Sequence, residues 1–271
     1  MPDILAEIVD HKRQEVDAAK SAVPVEELKQ LADEAAPPRN FFAAVTRPVG
    51  STRVIAEVKR ASPSAGLIRE DFDPVAIAQA YHAGGAAALS CLTDKKYFQG
   101  DLGYIHQIKD AVPLPVLRKD FLIDTYQVWE ARANGADAIL LIAECLDEPR
   151  LIDMLILATE LRMTTLVEVH SVDNLLRVRP HLGFPQPQYQ LLGINNRNLS
   201  TMTTDLSHTL RLLEMVDAPS ILVSESGIRT HDDIRKLADA GIHRVLVGEH
   251  LMKQPDITAA LESLIHGPAA A

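Results

Sequence analysis

Short, almost continuously apolar runs recur along the chain about every 27 residues. They begin near Val54, Ala86, Pro115, Asp137, Thr164, Gln190, Ser220 and His243. Runs of this length and composition are typical of strands buried on both faces of a parallel sheet. Longer amphipathic stretches separate them, so the pattern predicts eight alternations of strand and helix.

Signals for helix starts fall between the predicted strands. Asp73 before Pro74 predicts an N-cap and the first residue of a helix. Thr230 and Asp233 resemble a capping box, and Pro255 opens a last predicted helix. Eight strand–helix units predict an α/β fold, a closed (β/α)8 TIM barrel. The alternative is an open doubly wound sheet, which usually has fewer strands, but no glycine-rich dinucleotide fingerprint follows the first strand.

Residues 1–50 precede the first predicted strand. Apolar positions from Ile4 to Val9 and from Val25 to Ala32 predict one or two helices in this segment. We interpret it as an N-terminal helical extension that caps the barrel rather than as a second domain. Residues 1–271 are then one barrel domain, which agrees with the usual barrel length of about 250 residues.

The composition and net charge of the chain indicate which kinds of molecule it binds. Hydrophobic residues make up 47% of the chain and charged residues 24%, as in ordinary globular proteins. The net charge of −10 argues against nucleic acid or an anionic membrane as the main partner, although a few local cations suffice for a small anionic ligand. Because no secretory signal or membrane-spanning run is visible, we expect a cytoplasmic protein. The sequence does not specify the oligomeric state; a monomer is favoured.

Cysteine and histidine usage predicts neither a disulfide framework nor a metal centre. The two cysteines, Cys91 and Cys145, are interpreted as small apolar core residues in a reducing compartment. The ten histidines show no HExxH or other metal-ligand spacing. His170, beside the fifth strand end, is interpreted as a solvated or core histidine. The sequence therefore predicts acid–base chemistry without a metal or redox cofactor.

Polar and charged residues stand where the predicted strands end. Glu57 and Lys59 are two apart on the first strand and so face the same side. Later strand ends carry Lys119, Glu168, Asn195, Arg197, Glu225, Ser226, Gly248 and Glu249. Barrel enzymes place their chemistry at the mouth where these strand ends meet. The lysines and glutamates at this mouth predict either a structural charge cluster or an acid–base set with tuned pKa values.

The last two strand ends also predict a phosphate site. Ser226-Gly227 and Gly248 lie in the two loops that bind phosphate in many barrels, where backbone N–H groups and a hydroxyl donate to the anion. The alternative is that both glycines serve only tight turns. The loop from Ala61 to Phe72 is either a lid over the mouth or an inert surface loop. Phe121 either stacks on a ligand ring or packs on the rim.

Several segments together resemble the motifs of one family. They are IVDHKR (8–13), RNFF (39–42), VIAEVKRASPS (54–64), LTDKKYFQG (92–100), LRKDF (117–121), VEVH (167–170), GINNRNL (193–199) and SESGI (224–228). In this order, and over nearly the whole chain, they resemble the indole-3-glycerol-phosphate synthase family of the tryptophan pathway. The E-x-K-x-x-S-P-S element is specific, whereas the serine–glycine elements also occur in other phosphate-binding barrels.

The resemblance implies a ring-closing decarboxylation without a cofactor. The family converts 1-(2-carboxyphenylamino)-1-deoxyribulose 5-phosphate into indole-3-glycerol phosphate, CO2 and water. By resemblance, Lys119 is the general acid and Glu168 the second acid–base group. Lys59 would hold anionic groups of the substrate, Glu57 would orient them, and Asn195 would donate to a substrate hydroxyl.

The resemblance also divides the binding residues by the part of the substrate that each would meet. These are Ser226, Gly227 and Gly248 at the phosphate, Arg197 at the sugar-phosphate end, Pro63, Phe121 and Leu140 around the aryl ring, Ser62 at the carboxylate, and Glu225 nearby. Glu249 is a departure, because many relatives have a phosphate-binding serine there and a carboxylate repels phosphate. We therefore expect the backbone at Gly248 and Glu249 to bind the phosphate while the Glu249 side chain points away.

Two other functions stay open on the sequence alone. One is a non-catalytic barrel that binds a sugar phosphate; the complete set of strand-end acids and bases speaks against it. The other is an aldose–ketose isomerase acting on phosphoribosyl anthranilate. The pattern of two lysines with Ser-Pro-Ser favours the synthase over this isomerase.

Overall fold

The eight apolar runs form a closed parallel barrel in the computed structural model, which describes residues 4–198 and 203–268. Its strands are β1 (Arg53–Val58), β4 (Ala88–Leu92), β5 (Val116–Lys119), β6 (Ala138–Ile142), β7 (Thr164–Val169), β8 (Gln190–Asn195), β9 (Leu222–Glu225) and β10 (Arg244–Val247). Each strand pairs with its neighbours in the chain order of the barrel, and β10 closes on β1. The predicted TIM barrel is confirmed, and the open sheet is excluded.

Helices connect the strands and precede the barrel. They are α1 (Ile4–Ala22), α2 (Val25–Glu34), α3 (Phe41–Thr46), α4 (Pro74–Ala83), α5 (Lys95–Phe98), α6 (Tyr104–Ala111), α7 (Thr125–Ala133), α8 (Glu148–Glu160), α9 (Val172–Val178), α10 (Ser207–Leu213), α11 (His231–Asp239), α12 (Glu249–Met252) and α13 (Ile257–His266). Asp73 caps α4 and the Thr230–Asp233 capping box begins α11, as predicted. The last helix begins two residues after Pro255, because the Asp256 side chain supplies its cap.

The barrel interior is filled in layers by residues from alternate strands. Ile55, Leu117, Leu166 and Val223 come from β1, β5, β7 and β9; Ala88, Leu140, Leu191 and Leu246 come from the four strands between them. Phe41 and Val45 of α3 are fully buried against the same cluster. Each such burial stabilises the fold by about 1.5–3 kcal/mol, so α3 is held firmly in the core.

Helix α1 is attached to the barrel by one buried charge cluster. Lys12, 4% exposed, contacts Asp94 Oδ2 at 2.8 Å and Asp120 Oδ1 at 2.9 Å. Further along the helix, the Tyr126 hydroxyl lies 2.9 Å from the carbonyl of Ala19 and donates to this end of α1. These contacts join the extension to the loops that follow β4 and β5.

Several local details differ from the sequence predictions. Cys91 is buried, but Cys145 is only half-buried, because it lies in a 3-10 turn after β6. The long loop after β1 contains a hairpin of two short strands, β2 (Ala61–Ser62) and β3 (Gly66–Leu67).

Leu199, the last residue of the GINNRNL motif, lies outside the described residues. None of the described helices is long and apolar enough to cross a membrane.

Candidate active site

A cavity of about 460 Å³ opens at the carboxyl ends of the barrel strands. Every residue that the sequence predicted for catalysis or substrate binding lines it. They are Glu57, Lys59, Ser62, Pro63, Lys119, Phe121, Leu140, Glu168, Asn195, Arg197, Glu225, Ser226, Gly227, Gly248 and Glu249. Pockets for small molecules usually enclose about 300–1,000 Å³, so the cavity suits one such ligand.

Four ionisable residues form one layer of this cavity. Glu57, Lys119, Glu168 and Glu225 come from the alternate strands β1, β5, β7 and β9. Each lies two residues after an apolar residue of the barrel interior, so the strand period of two directs it inward one level higher. The layer therefore presents three carboxyl groups and one ammonium group where the apolar core ends.

Lys119 lies between two of these carboxyl groups. Its Nζ is 3.1 Å from Glu168 Oε2 and 3.8 Å from Glu225 Oε2. Burial lowers the pKa of Lys119, but the surrounding carboxylates outweigh burial and hold that pKa above its ordinary value. Lys119 is therefore an ammonium at neutral pH, with a proton to donate.

The two carboxyl groups beside Lys119 differ in protonation. Burial raises the pKa of Glu168, but Lys119 and His170 together lower it well below its ordinary value. Burial and the neighbouring Glu168 carboxylate raise the pKa of Glu225 well above its ordinary value. Glu168 is then an ionised base and Glu225 a protonated acid, the separation of roles expected when adjacent titrating groups interact. Gly193 on β8 makes room for Glu225, since a Cβ there would overlap Glu225 Oε1.

Glu57 and Lys59 form an ion pair, as their spacing predicted. Lys59 Nζ lies 2.5 Å from Glu57 Oε1. A Cβ at Gly248 would lie 2.9 Å from Glu57 Cβ and overlap its carboxylate. Gly248 is therefore required by the Glu57 side chain, whatever its backbone contributes to a phosphate.

Asn195 and His170 both contact Glu168. Asn195 Nδ2 donates to Glu168 Oε1 over 3.1 Å, and His170 Nε2 lies 3.2 Å from the same oxygen. On its other side, His170 Nδ1 lies 3.2 Å from Glu144 Oε2. Of the two alternatives for His170, the structure excludes a solvated ring and fits a core histidine, because the side chain is only 8% exposed and lies between two carboxylates. Its position one residue past a strand was the only sequence signal.

Arg197 spans the rim of the cavity. Its Nη1 donates to Ser64 Oγ over 2.5 Å, and its Nη2 lies 3.2 Å from Glu249 Oε2. Lys253 Nζ pairs with the other oxygen of Glu249 at 2.7 Å. These two cations hold the Glu249 carboxylate at the rim. That it points away from a bound phosphate stays a prediction. Arg197 also connects the hairpin loop of β2 and β3 to the start of α12.

The loop after β9 turns sharply beside the rim. Ser226 has φ +67° and Gly227 has φ +83°, both in the left-handed region. Asn196 Nδ2 holds this turn by donating to the Ser226 carbonyl over 3.0 Å. A Cβ on Gly227 would lie 2.7 Å from Thr204 Cγ2, so this position requires glycine on steric grounds as well.

Apolar side chains line the part of the cavity near Phe121. The rings of Phe98 and Phe121 are 6.0 Å apart at their centroids. Ile4, Leu5 and Ile8 of α1 line the same cavity. Sequence reasoning missed these α1 residues and Phe98. It recognised an apolar helical face but could not tell which surface that face covers.

Comparisons with known proteins identify the family of the chain. The family model described as indole-3-glycerol phosphate synthase matches residues 5–264. The chain belongs to the indole-3-glycerol phosphate synthase family. A relative of that name from Rhodospirillum rubrum is 48% identical over 98% of this chain and 100% of its own. Another from Rhodopirellula baltica is 48% identical over 97% of this chain and 98% of its own.

The family consists of carboxy-lyases of tryptophan biosynthesis, so the chain is an enzyme of that class. Solved structures of more distant barrels show the fold alone. A thiamine phosphate pyrophosphorylase from Pyrococcus furiosus is 18% identical, with a TM-score of 0.54 over 79% of this chain and 94% of its own. Within residues 4–198 and 203–268, no cluster of three or more His, Cys, Asp or Glu residues could hold a metal ion.

Proposed function

We propose that this member of the indole-3-glycerol phosphate synthase family converts 1-(2-carboxyphenylamino)-1-deoxyribulose 5-phosphate into indole-3-glycerol phosphate, CO2 and water, with Lys119 as general acid and Glu168 as general base. The observation that carries the assignment is the ammonium of Lys119 held 3.1 Å from the carboxylate of Glu168. An acid and a base on neighbouring atoms suit a reaction that needs both.

Ring closure begins at the substrate ketone. The aryl carbon that bears the carboxylate attacks the ketone carbon while Lys119 gives its proton to the ketone oxygen. The C–C bond to the carboxylate then breaks, CO2 leaves, and its electron pair restores the aromatic ring. A charged donor aimed at the developing oxyanion in a shielded site stabilises this step.

Dehydration completes the indole. The new hydroxyl leaves as water after a second protonation, and Glu168 removes a proton from the adjacent carbon as the ring double bond forms. Two protons are delivered and one is removed, so one turnover from the carboxylate form takes up one proton. Glu225, which holds a proton next to Glu168, is suited to supply the second one.

The rest of the cavity would bind the two ends of the substrate. Phe121, Leu140 and Pro63 would hold the aryl ring, and Lys59 would face an anionic group. The following residues would complete binding: Ser62 at the carboxylate, Glu57 and Asn195 at the hydroxyls, Arg197 at the sugar phosphate, and Ser226, Gly227, Gly248 and the Glu249 backbone at the phosphate.

Fluorescence of the indole product tests the proposal directly. The purified chain is incubated with the carboxyphenylamino-deoxyribulose phosphate, EDTA and no added cofactor. Turnover supports both the reaction and its independence from a metal. Tight binding of a reduced substrate analogue without turnover would instead indicate a binding-only barrel, and neither binding nor turnover would refute the assignment.

Three further expectations belong to the same proposal. Residues 1–271 act as one domain with residues 1–50 as its cap, the protein is a monomer, and it works in the cytoplasm. Limited proteolysis tests the first, light scattering after size exclusion the second, and cell fractionation the third. A separable N-terminal fragment, a dimer mass or a membrane-bound fraction would contradict them in turn.

A further inference from the structure

The Glu168 carboxylate contacts a histidine that the proposed mechanism does not use. His170 follows β7 directly, and its ring is buried beside the cavity. Its Nε2 lies 3.2 Å from Glu168 Oε1, and its Nδ1 lies 3.2 Å from Glu144 Oε2. Both ring nitrogens therefore face a carboxylate.

Glu144 is itself fixed in place. It lies in the 3-10 turn after β6, and its Oε1 accepts from the backbone N–H of His170 and from Asn174 Nδ2, both over 2.9 Å. Together with His170 Nδ1 at Oε2, three nitrogens from two residues, His170 and Asn174, thus set the orientation of this carboxylate. Glu144 reaches the cavity only through the His170 ring.

Both carboxylates require a proton on the ring nitrogen that they face. A neutral imidazole carries one proton, so one of its lone pairs would face a carboxylate across 3.2 Å. The imidazolium instead hydrogen-bonds Glu144 through Nδ1 and places a positively charged N–H in ion-pair contact with Glu168 through Nε2. Burial lowers the pKa of His170, but the adjacent carboxylates of Glu144 and Glu168 outweigh it and raise the pKa to about 10.

We propose that Glu144, His170 and Glu168 form a fixed carboxylate–imidazolium–carboxylate chain, in which His170 is a positioning residue that keeps Glu168 ionised and oriented as the base. The proposal rests on the proposed function only in taking Glu168 as that base. It also defines the protonation states before the reaction. Because His170 stays a cation beside Glu168, Lys119 and Glu225 are the groups that donate protons.

The other charged groups around the chain keep it close to neutral. The charged groups are Lys119 on β5 and Glu57 on β1, and Glu57 is paired with Lys59. Two further titratable groups are neutral: Glu225 on β9 and His208 on α10, whose Nε2 contacts the His170 carbonyl at 3.1 Å and whose pKa burial lowers. Lys119 and the imidazolium offset Glu168 and Glu144, while Glu225 retains its proton. Removal of the imidazolium leaves a net negative cluster in which Glu168 binds a proton more readily.

NMR of the ring nitrogens tests the charge without any substrate. In protein labelled with 15N at histidine, both nitrogens of His170 are expected to give imidazolium shifts throughout pH 6–8.5, whereas an ordinary histidine titrates near about 6.5. His170→Gln assigns the signal by its loss. A neutral tautomer of His170 at pH 7 in the native protein would overturn the proposal.

The kcat–pH profile tests the effect on Glu168. His170→Gln keeps a neutral donor but removes the charge, so the acid limb of kcat is expected to move up by about one pH unit. At the acid limb kcat falls about tenfold, while KM changes less than about threefold. Glu144→Gln, which weakens the imidazolium, shifts the limb in the same direction by less.

A matched control comes from a second histidine–carboxylate pair remote from the cavity. His181 Nε2 lies 2.7 Å from Glu148 Oε1, and His181→Gln is expected to leave the acid limb in place. An unmoved limb in His170→Gln would overturn the proposal even if the imidazolium is observed. If His170→Gln folds poorly, the proposal is tested instead by the acid limb of Glu144→Gln and by the His170 NMR signal of the native protein. Absence of turnover by the native protein would refute the proposed function and leave the NMR test standing.

Discussion

The Lys12→Met substitution should measure how much the buried ion pairs between α1 and the barrel contribute to the stability of the protein. The lysine is buried between the carboxylates of Asp94 and Asp120 at 2.8 and 2.9 Å. Methionine keeps much of the length and the apolar stem but removes the charge. Asp120 retains Arg118 as an ion-pair partner, whereas the variant deprives the fully buried Asp94 of its buried cation.

The magnitude follows from burial. Removal of one member of a buried ion pair costs about 3–5 kcal/mol, because the remaining charge is left uncompensated. Unfolding entropy is about 2.1 cal/mol/K per residue, which for 271 residues is about 0.6 kcal/mol/K. Lys12→Met is therefore expected to lower the melting temperature by about 5–9 °C.

The matched control is Lys29→Met on α2. Lys29 pairs with Glu26 at 2.9 Å, but the two side chains are 41% and 72% exposed. Exposed pairs contribute about 0–1 kcal/mol, so this variant should melt within about 2 °C of the native protein. The two substitutions are chemically identical, but the Lys12 cluster is buried and the Lys29 pair is exposed. Lys29 Nζ also lies 5.8 Å from the centre of the Trp129 ring, an exposed cation–π contact.

Circular dichroism melts, checked by urea titrations, compare the three proteins. A drop for Lys12→Met no larger than that for Lys29→Met would refute the reasoning, because it would mean that Asp94 and Asp120 tolerate loss of their shared cation. Addition of Asp94→Asn to Lys12→Met should recover part of the lost stability, since it removes the uncompensated carboxylate.

Three further substitutions test the site. Lys119→Met should keep the fold and remove most of kcat while an analogue still binds; a kcat within about threefold of native would contradict the general acid. Lys59→Ala should raise KM as well as lower kcat, and an unchanged KM would argue against an anion contact. Gly193→Ala should destabilise the protein by about 1–3 kcal/mol, since its Cβ overlaps Glu225 Oε1, and Glu225→Ala should restore stability in a denaturant titration.

The site was predictable because barrel topology converts sequence position into spatial position. Once eight buried strands close, the residue after each apolar run lies at one mouth, so Lys119, Glu168 and Glu225 had to approach one another. The same rule does not reveal side-chain partners. The contacts of His170 were not predicted, because Glu144, which fixes it, lies 26 residues away in a turn after another strand.

The partners of the Glu249 carboxylate were not predicted, for a related reason. Local reasoning considered only its repulsion from a phosphate. The compensating charges, Arg197 and Lys253, lie 52 residues before it and four residues after it. Only the folded chain shows that two cations are near enough to hold this carboxylate at the rim.

By itself the sequence determined the barrel, its strand positions, two of its helix caps and the strand-end residues that line the cavity. Those properties depend on local periodicity and on the general rule that strand ends converge. Tertiary structure alone decided which carboxyl is ionised, which helix closes the cavity and which glycines are required. These depend on distances of a few ångströms between residues far apart in the chain, because electrostatic energy and steric overlap change steeply over that range.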